Sequence, residues 1–169
     1  LKVRQAVRYA LDIDEIIAGA FNNIPKRAKT MIPQGILGHW EDAPLYEQDL
    51  KKARQLLAEA GYGDGLTTTI NTVSKPVYMS VSQIMQQQLQ EAGIEANIHV
   101  IESGSGYPFL GKESHPGLFY YAFSLTLDPG YWVEWFTSDQ VGKWNFLKWS
   151  NEAYDRLADE AALCMDPEK

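Results

Sequence analysis

The sequence contains only one cysteine and three histidines, and it has no long apolar run. Cys164 has no second cysteine to pair with, and no histidine has another histidine or a cysteine at the spacing of metal ligands. A membrane-spanning helix needs about 18 or more consecutive apolar residues, and no such run occurs. We therefore expect no disulfide within the chain, no metal site and no membrane-spanning helix.

Clustered positive charge is missing as well. Lys and Arg number 15 against 22 Asp and Glu, which gives a formal net charge of −7. The densest basic stretch, residues 26–29, is too short to bind a phosphate backbone, because such binding depends on clustered Lys and Arg. We therefore expect no nucleic-acid partner. With 45% hydrophobic residues among 169, the chain is long and apolar enough to bury a core of its own.

Helical and strand-like patterns alternate along the chain, which predicts an α/β fold. Apolar residues at helical spacing run from Val3 to Leu11. Asp12 and Asp49 stand at N-cap positions ahead of two further helices, and a last helix is expected from about Ser150.

Three segments have the composition of strands. Residues 66–73 and 94–101 are rich in Thr, Ile and Val, and the helical stripe between them ends at Gly93. Strand, helix and strand form a βαβ unit, which requires parallel pairing and a right-handed crossover. Residues 118–127 are nearly all apolar or aromatic, which is typical of a strand covered on both faces.

Residues 21–48 have no sustained periodicity and contain three prolines, which predicts a long irregular segment. Such loops are uncommon in compact domains unless they have a function or pack under other parts of the protein. We expect this one to pack along the protein through apolar anchors, namely Ile24, Met31, Ile32, Ile36, Leu37 and Trp40.

No motif assembles a nucleophile with a base or holds a phosphate. The glycines of residues 61–65 follow a predicted helix and precede a strand, which is the reverse of a dinucleotide-binding loop. Ser103 stands where a nucleophile elbow needs its first glycine. Paired carboxylates such as Asp159 and Glu160 lie on polar helix faces. We therefore expect no catalytic residue and no cofactor.

Aromatic residues crowd into residues 131–149, directly after the third predicted strand. Two interpretations stay open for each ring. It packs in the core, or it lines a ligand cleft, because ligands of open α/β sheets bind beyond the carboxyl ends of the strands. The residues concerned are Tyr131, Trp132, Trp135, Phe136, Trp144, Phe146 and Trp149.

Three separate stretches together resemble one family. Residues 3–12 (VRQAVRYALD), followed by Ile16 and Ile17, resemble the VRQAl-yAiDr--I segment of solute-binding protein family 5, the dipeptide- and oligopeptide-binding proteins of ABC importers. Residues 46–65 (YEQDLKKARQLLAEAGYGDG) look like its yd-dp-kAk-LLaeAGy-dG segment. Residues 145–155 (NFLKWSNEAYD) are similar to its N-sgysnpefD segment. The three stretches cover the chain in the family's order.

The resemblance implies a periplasmic-binding-protein type II-like lobe, with a small mainly parallel sheet flanked by helices. Residues 1–169 would form a single α/β lobe, most of the C-terminal lobe of a longer two-lobed protein. The ends agree, because helical patterns adjoin both of them. The resemblance also implies a periplasmic protein or cell-surface lipoprotein that captures a small solute, delivers it to an ABC permease and catalyses no reaction. We expect it to be a monomer.

The family's peptide binders carry a W-x-x-D motif three residues before an Asp-Pro pair, and its aspartate grips the peptide's free amino group. Counting back from Asp128, Leu125 stands at the aspartate position and Ala122 at the tryptophan position. The resemblance implies that residues 122–125 line the cleft, and we expect contacts beyond Asp128 as neighbours. The expected ligand-binding residues are Ala122, Phe123, Ser124, Leu125, Asp128, Trp132, Trp144 and Asn145.

Two other functions stay open. The first is a receptor or chaperone that uses the same fold to present a solute or to bind a partner protein, which neighbouring permease and ATPase genes would argue against. The second is an enzyme, for instance a hydrolase acting on peptides. Incubating candidate solutes with the protein and detecting their turnover by mass spectrometry would reveal an enzyme.

Unmodified dipeptides and tripeptides are predicted to bind poorly, because Leu125 offers no counter-charge to a peptide's ammonium group. Removing one partner of a buried ammonium–carboxylate pair costs about 2–5 kcal/mol, which lowers the affinity roughly 30-fold to a few thousand-fold. Calorimetry with a panel of simple peptides measures this effect. Sugars and other polar solutes that stack on aromatic rings are expected to bind better, and micromolar binding of the simple peptides would contradict the prediction.

Overall fold

The computed structural model describes residues 1–105, 117–122 and 128–164. The chain divides into two compact units. Of the described residues, the first unit contains 1–27, 45–105 and 117–122, and the second contains 28–44 and 128–164. The single lobe expected over residues 1–169 stays a prediction.

Four helices and a three-stranded sheet are described in the first unit. In chain order they are α1 (Lys2–Ala10), α2 (Ile13–Phe21), α3 (Leu50–Glu59), β1 (Leu66–Val73), α4 (Pro76–Glu91), β2 (Ile94–Ile101) and β3 (Leu118–Tyr120). The predicted N-caps are confirmed, because the Asp12 carboxylate accepts from the amides of Asp14 and Glu15, and the Asp49 carboxylate accepts from the amide of Lys52. None of the described helices is both long and apolar enough to cross a membrane.

The sheet has the order β2-β1-β3, and both pairings are parallel. The register of β1 and β2 runs without a break from Leu66 opposite Ile94 to Val73 opposite Ile101. The bounds of these two strands and the parallel βαβ unit are those predicted from the sequence. The third strand begins at Leu118 as predicted and ends at Tyr120, while residues 123–127 lie outside the described residues.

Asn71 ties the central strand to both of its neighbours. Its side chain is 1% exposed, and its Nδ2 donates a 3.0 Å hydrogen bond to the carbonyl oxygen of Leu118. On the other side, its Oδ1 lies 3.0 Å from Nδ1 of His99. A buried amide that lacked these partners would destabilise the sheet, so the contacts favour one register.

The core of the first unit lies between the helices and the sheet. Alanines are placed where α1 meets α3, and their small side chains let the two helix axes approach closely. Branched aliphatic side chains fill the space against the sheet, each contributing about 1.5–3 kcal/mol when fully buried. The buried cluster consists of Ala6, Ala10, Leu11, Ala53, Leu56, Leu57, Ile70, Leu89, Ala92, Ile94 and Ala96.

Gln88 joins the crossover helix α4 to the junction of α1 and α2. It is 2% exposed, and its Nε2 donates to the carbonyl oxygen of Asp12 at 3.2 Å and to Oε2 of Glu15 at 2.6 Å. Its Oε1 accepts from the backbone amide of Asp12 at 3.1 Å. A polar residue on the buried face of α4 is therefore fully used in fixing the position of the first two helices.

In the second unit, the described α-helices are α5 (Pro129–Glu134) and α6 (Glu152–Leu163), and a 3-10 turn spans Ser138–Gln140. Asn151 caps α6 through its side-chain oxygen, close to the start predicted from the sequence. The Tyr154 hydroxyl donates a 2.8 Å hydrogen bond to the carbonyl oxygen of Val133 and so links α6 to α5. Burial raises the pKa of Tyr154, so this phenol stays protonated and able to donate.

The expectation that apolar anchors hold residues 21–48 is wrong for four of the six. Exposed fractions are 83% for Ile24, 51% for Met31, 62% for Leu37 and 60% for Trp40, whereas Ile32 and Ile36 are half-buried. Tight backbone turns and polar contacts hold residues 28–44 instead. Nδ1 of His39 lies 2.7 Å from the carbonyl oxygen of Ile32, and Lys29 donates to the carbonyl oxygen of Glu41 at 2.8 Å. A segment closed by its own hydrogen bonds can leave its apolar side chains on the surface.

Gly117→Ala is predicted to destabilise the fold by at least about 3 kcal/mol. Gly117 has a φ of +84°, and an added Cβ would overlap the backbone of Thr69 in the neighbouring strand β1. Urea unfolding followed by circular dichroism measures the loss.

Gly61→Ala is the matched control for this prediction. Gly61 has a nearly identical φ of +87°, but no atom lies within 4 Å of the position that a Cβ would take. We expect it to cost only about 1–2 kcal/mol, the penalty of the left-handed backbone. Equal losses in the two variants would show that the close approach at Gly117 is unimportant.

Candidate functional site

The carboxyl ends of β1 and β3 lie side by side where the topology of the sheet switches direction. After Val73, the chain crosses through α4 to β2 on one side of β1, whereas β3 pairs with β1 on the other side. Connections diverge at such a point and leave the strand ends uncovered, which is why ligands of open α/β sheets bind there. This edge of the first unit is therefore the candidate site.

Aromatic rings surround these strand ends. The ring of Tyr78, in the first turn of α4, makes edge-on contacts with Tyr120 at 5.2 Å and with Tyr121 at 6.2 Å between centroids. Phe119 and Tyr121 stack at 5.8 Å. The Lys75 ammonium lies 5.4 Å from the centre of the Tyr78 ring. We call these five residues the strand-end surface.

The strand-end surface combines apolar ring faces with polar groups. Its four rings are half-buried and Lys75 is exposed. Burial, with a smaller contribution from Tyr78, raises the pKa of Tyr120. The phenol is therefore neutral at pH 7 and can both donate and accept a hydrogen bond. Aromatic walls with a few placed polar groups are typical of small-molecule sites.

A second group of aromatic rings lies in the second unit, and we call it the tryptophan cluster: Tyr131, Trp132, Trp135 and Trp144. Trp135 lies 5.0 Å from Trp132 and stacks on Trp144 at 5.2 Å with an interplanar angle of 14°. Trp144 is 42% exposed and Trp132 is 7% exposed. Within the described residues, Nε1 of Trp132 is buried without a hydrogen-bond partner. The cluster therefore combines core packing with an exposed ring face.

Asn145 is buried and fully engaged inside the second unit. Its Nδ2 donates to the carbonyl oxygens of Thr137 at 3.1 Å and Trp149 at 2.8 Å, with a longer 3.4 Å contact to that of Phe136. Its Oδ1 accepts from the backbone amide of Trp149 at 3.3 Å. The side chain holds residues 136–149 as a closed loop. Through this loop it supports the tryptophan cluster, of which Trp144 is a member.

The expected site residues fall into three groups. Trp132 and Trp144 come together through Trp135, and Asp128 caps α5 in the same unit by accepting from the amide of Gly130 at 2.8 Å. Ala122 is exposed and belongs to the first unit. Phe123, Ser124 and Leu125 lie outside the described residues. Contact of any of these residues with a solute stays a prediction.

The sequence analysis did not single out Lys75, Tyr78, Tyr120 or Tyr121. A signal for the first two was present, because both follow directly after a strand that was predicted to pair in parallel, and the carboxyl end of such a strand faces the ligand edge. Tyr120 in β3 and Tyr121 directly after it belonged to a predicted strand, but placing them beside Tyr78 required the strand order. No group of three metal-ligating side chains is found in the part of the chain that the structure describes.

A family model described as bacterial extracellular solute-binding proteins, family 5, middle region, matches residues 1–144. The glutathione-binding protein GsiB of Salmonella paratyphi A is 30% identical over 99% of this chain and 34% of its own length. The chain therefore spans about a third of the length of the relatives it matches.

Two solved structures have the same fold over nearly the whole chain. HbpA2 from Haemophilus parasuis superimposes with a TM-score of 0.88 and 26% identity, covering 99% of this chain and 34% of its own. The oligopeptide-binding protein AppA from Bacillus subtilis, in complex with a nonapeptide, gives a TM-score of 0.87 and 26% identity, covering 99% of this chain and 36% of its own. The predicted periplasmic-binding-protein fold is confirmed.

Asn145→Asp is predicted to destabilise the second unit by about 3–5 kcal/mol at neutral pH, because a buried carboxylate would face carbonyl oxygens in place of the lost donor. The loss should shrink as the pH falls and the acid becomes neutral, since burial raises its pKa in the folded state. Tryptophan fluorescence during urea unfolding reports on this unit, which contains all five tryptophans.

Asn151→Asp is the control for this substitution. A carboxylate at this position keeps the N-cap contacts to Ala153 and Tyr154 and favours the positive end of the α6 dipole, so stability should change little. Equal effects of the two substitutions would contradict the structural role of Asn145.

Proposed function

The chain belongs to family 5 of the bacterial extracellular solute-binding proteins, and from this membership we propose that it is part of the solute-capturing subunit of an ABC importer. In this proposal the protein is monomeric, lies in the periplasm or on the cell surface, and delivers its solute to a membrane permease. It catalyses no reaction of its own. The relatives are named for binding, which supports a binding function over the hydrolase alternative.

The observation that carries this proposal is the strand-end surface at the switch point of the sheet. Its rings are clustered and half-buried, and they lie at the carboxyl ends of the strands, beyond which the described sheet does not extend. Rings in this position offer a stacking face, and the Lys75 ammonium offers a charge for an anionic or polar group.

We further propose a polar solute with a planar or ring-shaped part. GsiB is named for glutathione and AppA was solved with a nonapeptide, so the chemistry of the ligand varies among relatives of similar identity. In this chain, leucine at position 125 disfavours a free ammonium group, while aromatic faces favour stacking. Both properties point away from simple peptides.

Tyr78→Ala is predicted to weaken solute binding about tenfold, because the substitution removes the ring that bridges the two strand ends. The purified protein is first screened by calorimetry against glutathione, haem, a nonapeptide and a set of sugars. The best binder is then titrated against the variant. Retained affinity in Tyr78→Ala would contradict the proposed site.

Tyr62→Ala provides the control, because Tyr62 is a surface tyrosine, 43% exposed, in the turn after α3. Its removal should leave the solute affinity unchanged. Mass spectrometry of the solute after incubation tests the second part of the proposal. Conversion of the solute to a product would show an enzyme and overturn the assignment as a binding protein.

A further inference from the structure

A cleft of about 330 Å³ opens beside α1, and we call it the Arg8 cleft. It is lined by Arg4, Gln5, Arg8, Tyr9 and Tyr46. Arg4 and Arg8 are one helical turn apart, which places two positive charges on the same side of α1. The cleft shares no residue with the strand-end surface, so its role is independent of the proposed solute site.

Arg8 is held in one orientation inside this cleft. Its Nη2 donates a 3.1 Å hydrogen bond to the carbonyl oxygen of Tyr46, and its Cζ lies 5.4 Å from the centre of the Tyr46 ring. The ring of Tyr46 is in turn braced by an edge-on contact with Tyr9 at 6.0 Å. A guanidinium fixed by a stacked ring and a carbonyl is preorganised for a further contact.

The second terminal nitrogen of Arg8 is left without an acceptor. Nη1 is buried, and no hydrogen-bond partner for it exists among the described residues. No carboxylate in the described ranges lies within ion-pair distance of Arg8. Buried charged donors without an acceptor are rare and costly, so an unpaired one marks a place where an acceptor belongs.

The carboxylates nearest to this region are already used by another arginine. Nη1 of Arg27 contacts Asp14 at 2.7 Å and Glu47 at 3.0 Å, and its Nη2 shares the Tyr46 carbonyl oxygen with Arg8. Burial and the neighbouring positive charge of Arg27 both lower the pKa of Arg8. Both carboxylates are therefore engaged by Arg27, and neither lies within ion-pair distance of Arg8.

We propose that the Arg8 cleft binds a small oxyanion, either a carboxylate or a phosphate group, through a hydrogen bond from Nη1 of Arg8. An ionised oxygen satisfies the orphaned donor and offsets the charge of Arg8. Neutral ligands lack the negative charge that this arrangement favours. Arginine suits the role because its planar fork aligns N–H groups with the oxygens of such anions.

Titration of the purified protein with inorganic phosphate and, separately, with malonate tests the proposal and distinguishes the two anion classes. Side-chain ¹⁵N NMR of the arginines follows the contact directly. We expect saturable binding of at least one anion at millimolar concentration, with the largest shift at Arg8. Absence of saturable binding by both anions would overturn the proposal.

Arg8→Gln should lower the affinity for the anion about tenfold or more, because the substitution removes the charge and the directed donor. Arg156→Gln is the control, since Arg156 is an exposed arginine on α6 whose side chain pairs with Glu160 at 2.8 Å. It should leave the affinity unchanged. Equal affinity of Arg8→Gln and the native protein would overturn the assignment.

Arg4→Gln keeps the test decisive if Arg8→Gln fails to fold, because Arg4 is exposed and the contacts of Arg8 to Tyr46 remain. Loss of this second charge should lower the affinity for the anion about threefold, and the largest NMR shift should still be at Arg8. An unchanged affinity in the folded Arg4→Gln variant would contradict the charge-based part of the proposal.

Discussion

The first unit depends on the parallel pairing of β1 with a strand on each side. Parallel strands cannot be joined by a tight turn, so the chain must cross over, and α4 is the element that makes the crossing. Because β2 and β3 both run in the same direction as β1, all three carboxyl ends meet at one edge of the sheet. The aromatic rings at that edge are a consequence of this pairing, and the candidate site follows from it.

Buried amide side chains fix the arrangement that apolar packing leaves adjustable. Asn71 joins three strands, Gln88 joins α4 to the junction of α1 and α2, and Asn145 closes a loop in the second unit. Each is at most 2% exposed, and each uses both its donor and its acceptor side. Hydrophobic burial tolerates small shifts, whereas a buried amide tolerates few, because an unmade hydrogen bond there costs about 1–3 kcal/mol. These residues therefore hold the candidate surfaces in place.

The residues of the proposed site are different from those that hold the fold of the first unit. The helix caps and alanine contacts of the first unit are compatible with any solute, since none of them lies at the strand ends. In the proposed function, specificity depends on a few rings and charges at the edge of the sheet, where one substitution would change the affinity by the energy of one stacked ring or one ion pair. Relatives of about 30% identity or less are named for glutathione or solved with a nonapeptide, so the same fold occurs with different ligands.

Elements whose causes are local could be predicted from the sequence. Both long strands, their helical connection, the caps at Asp12 and Asp49 and the family were predictable, because periodicity, cap chemistry and motif spacing act within a few residues. Other features became visible only in the folded chain: Tyr78 meets Tyr120, the Asn145 side chain bonds within its own loop, and Nη1 of Arg8 has no acceptor among the described residues. The tertiary structure also placed Ile24 and Trp40 on the surface. These properties depend on contacts between residues distant in the chain, and a pattern of neighbouring residues carries no information about which distant group fills or vacates a given space.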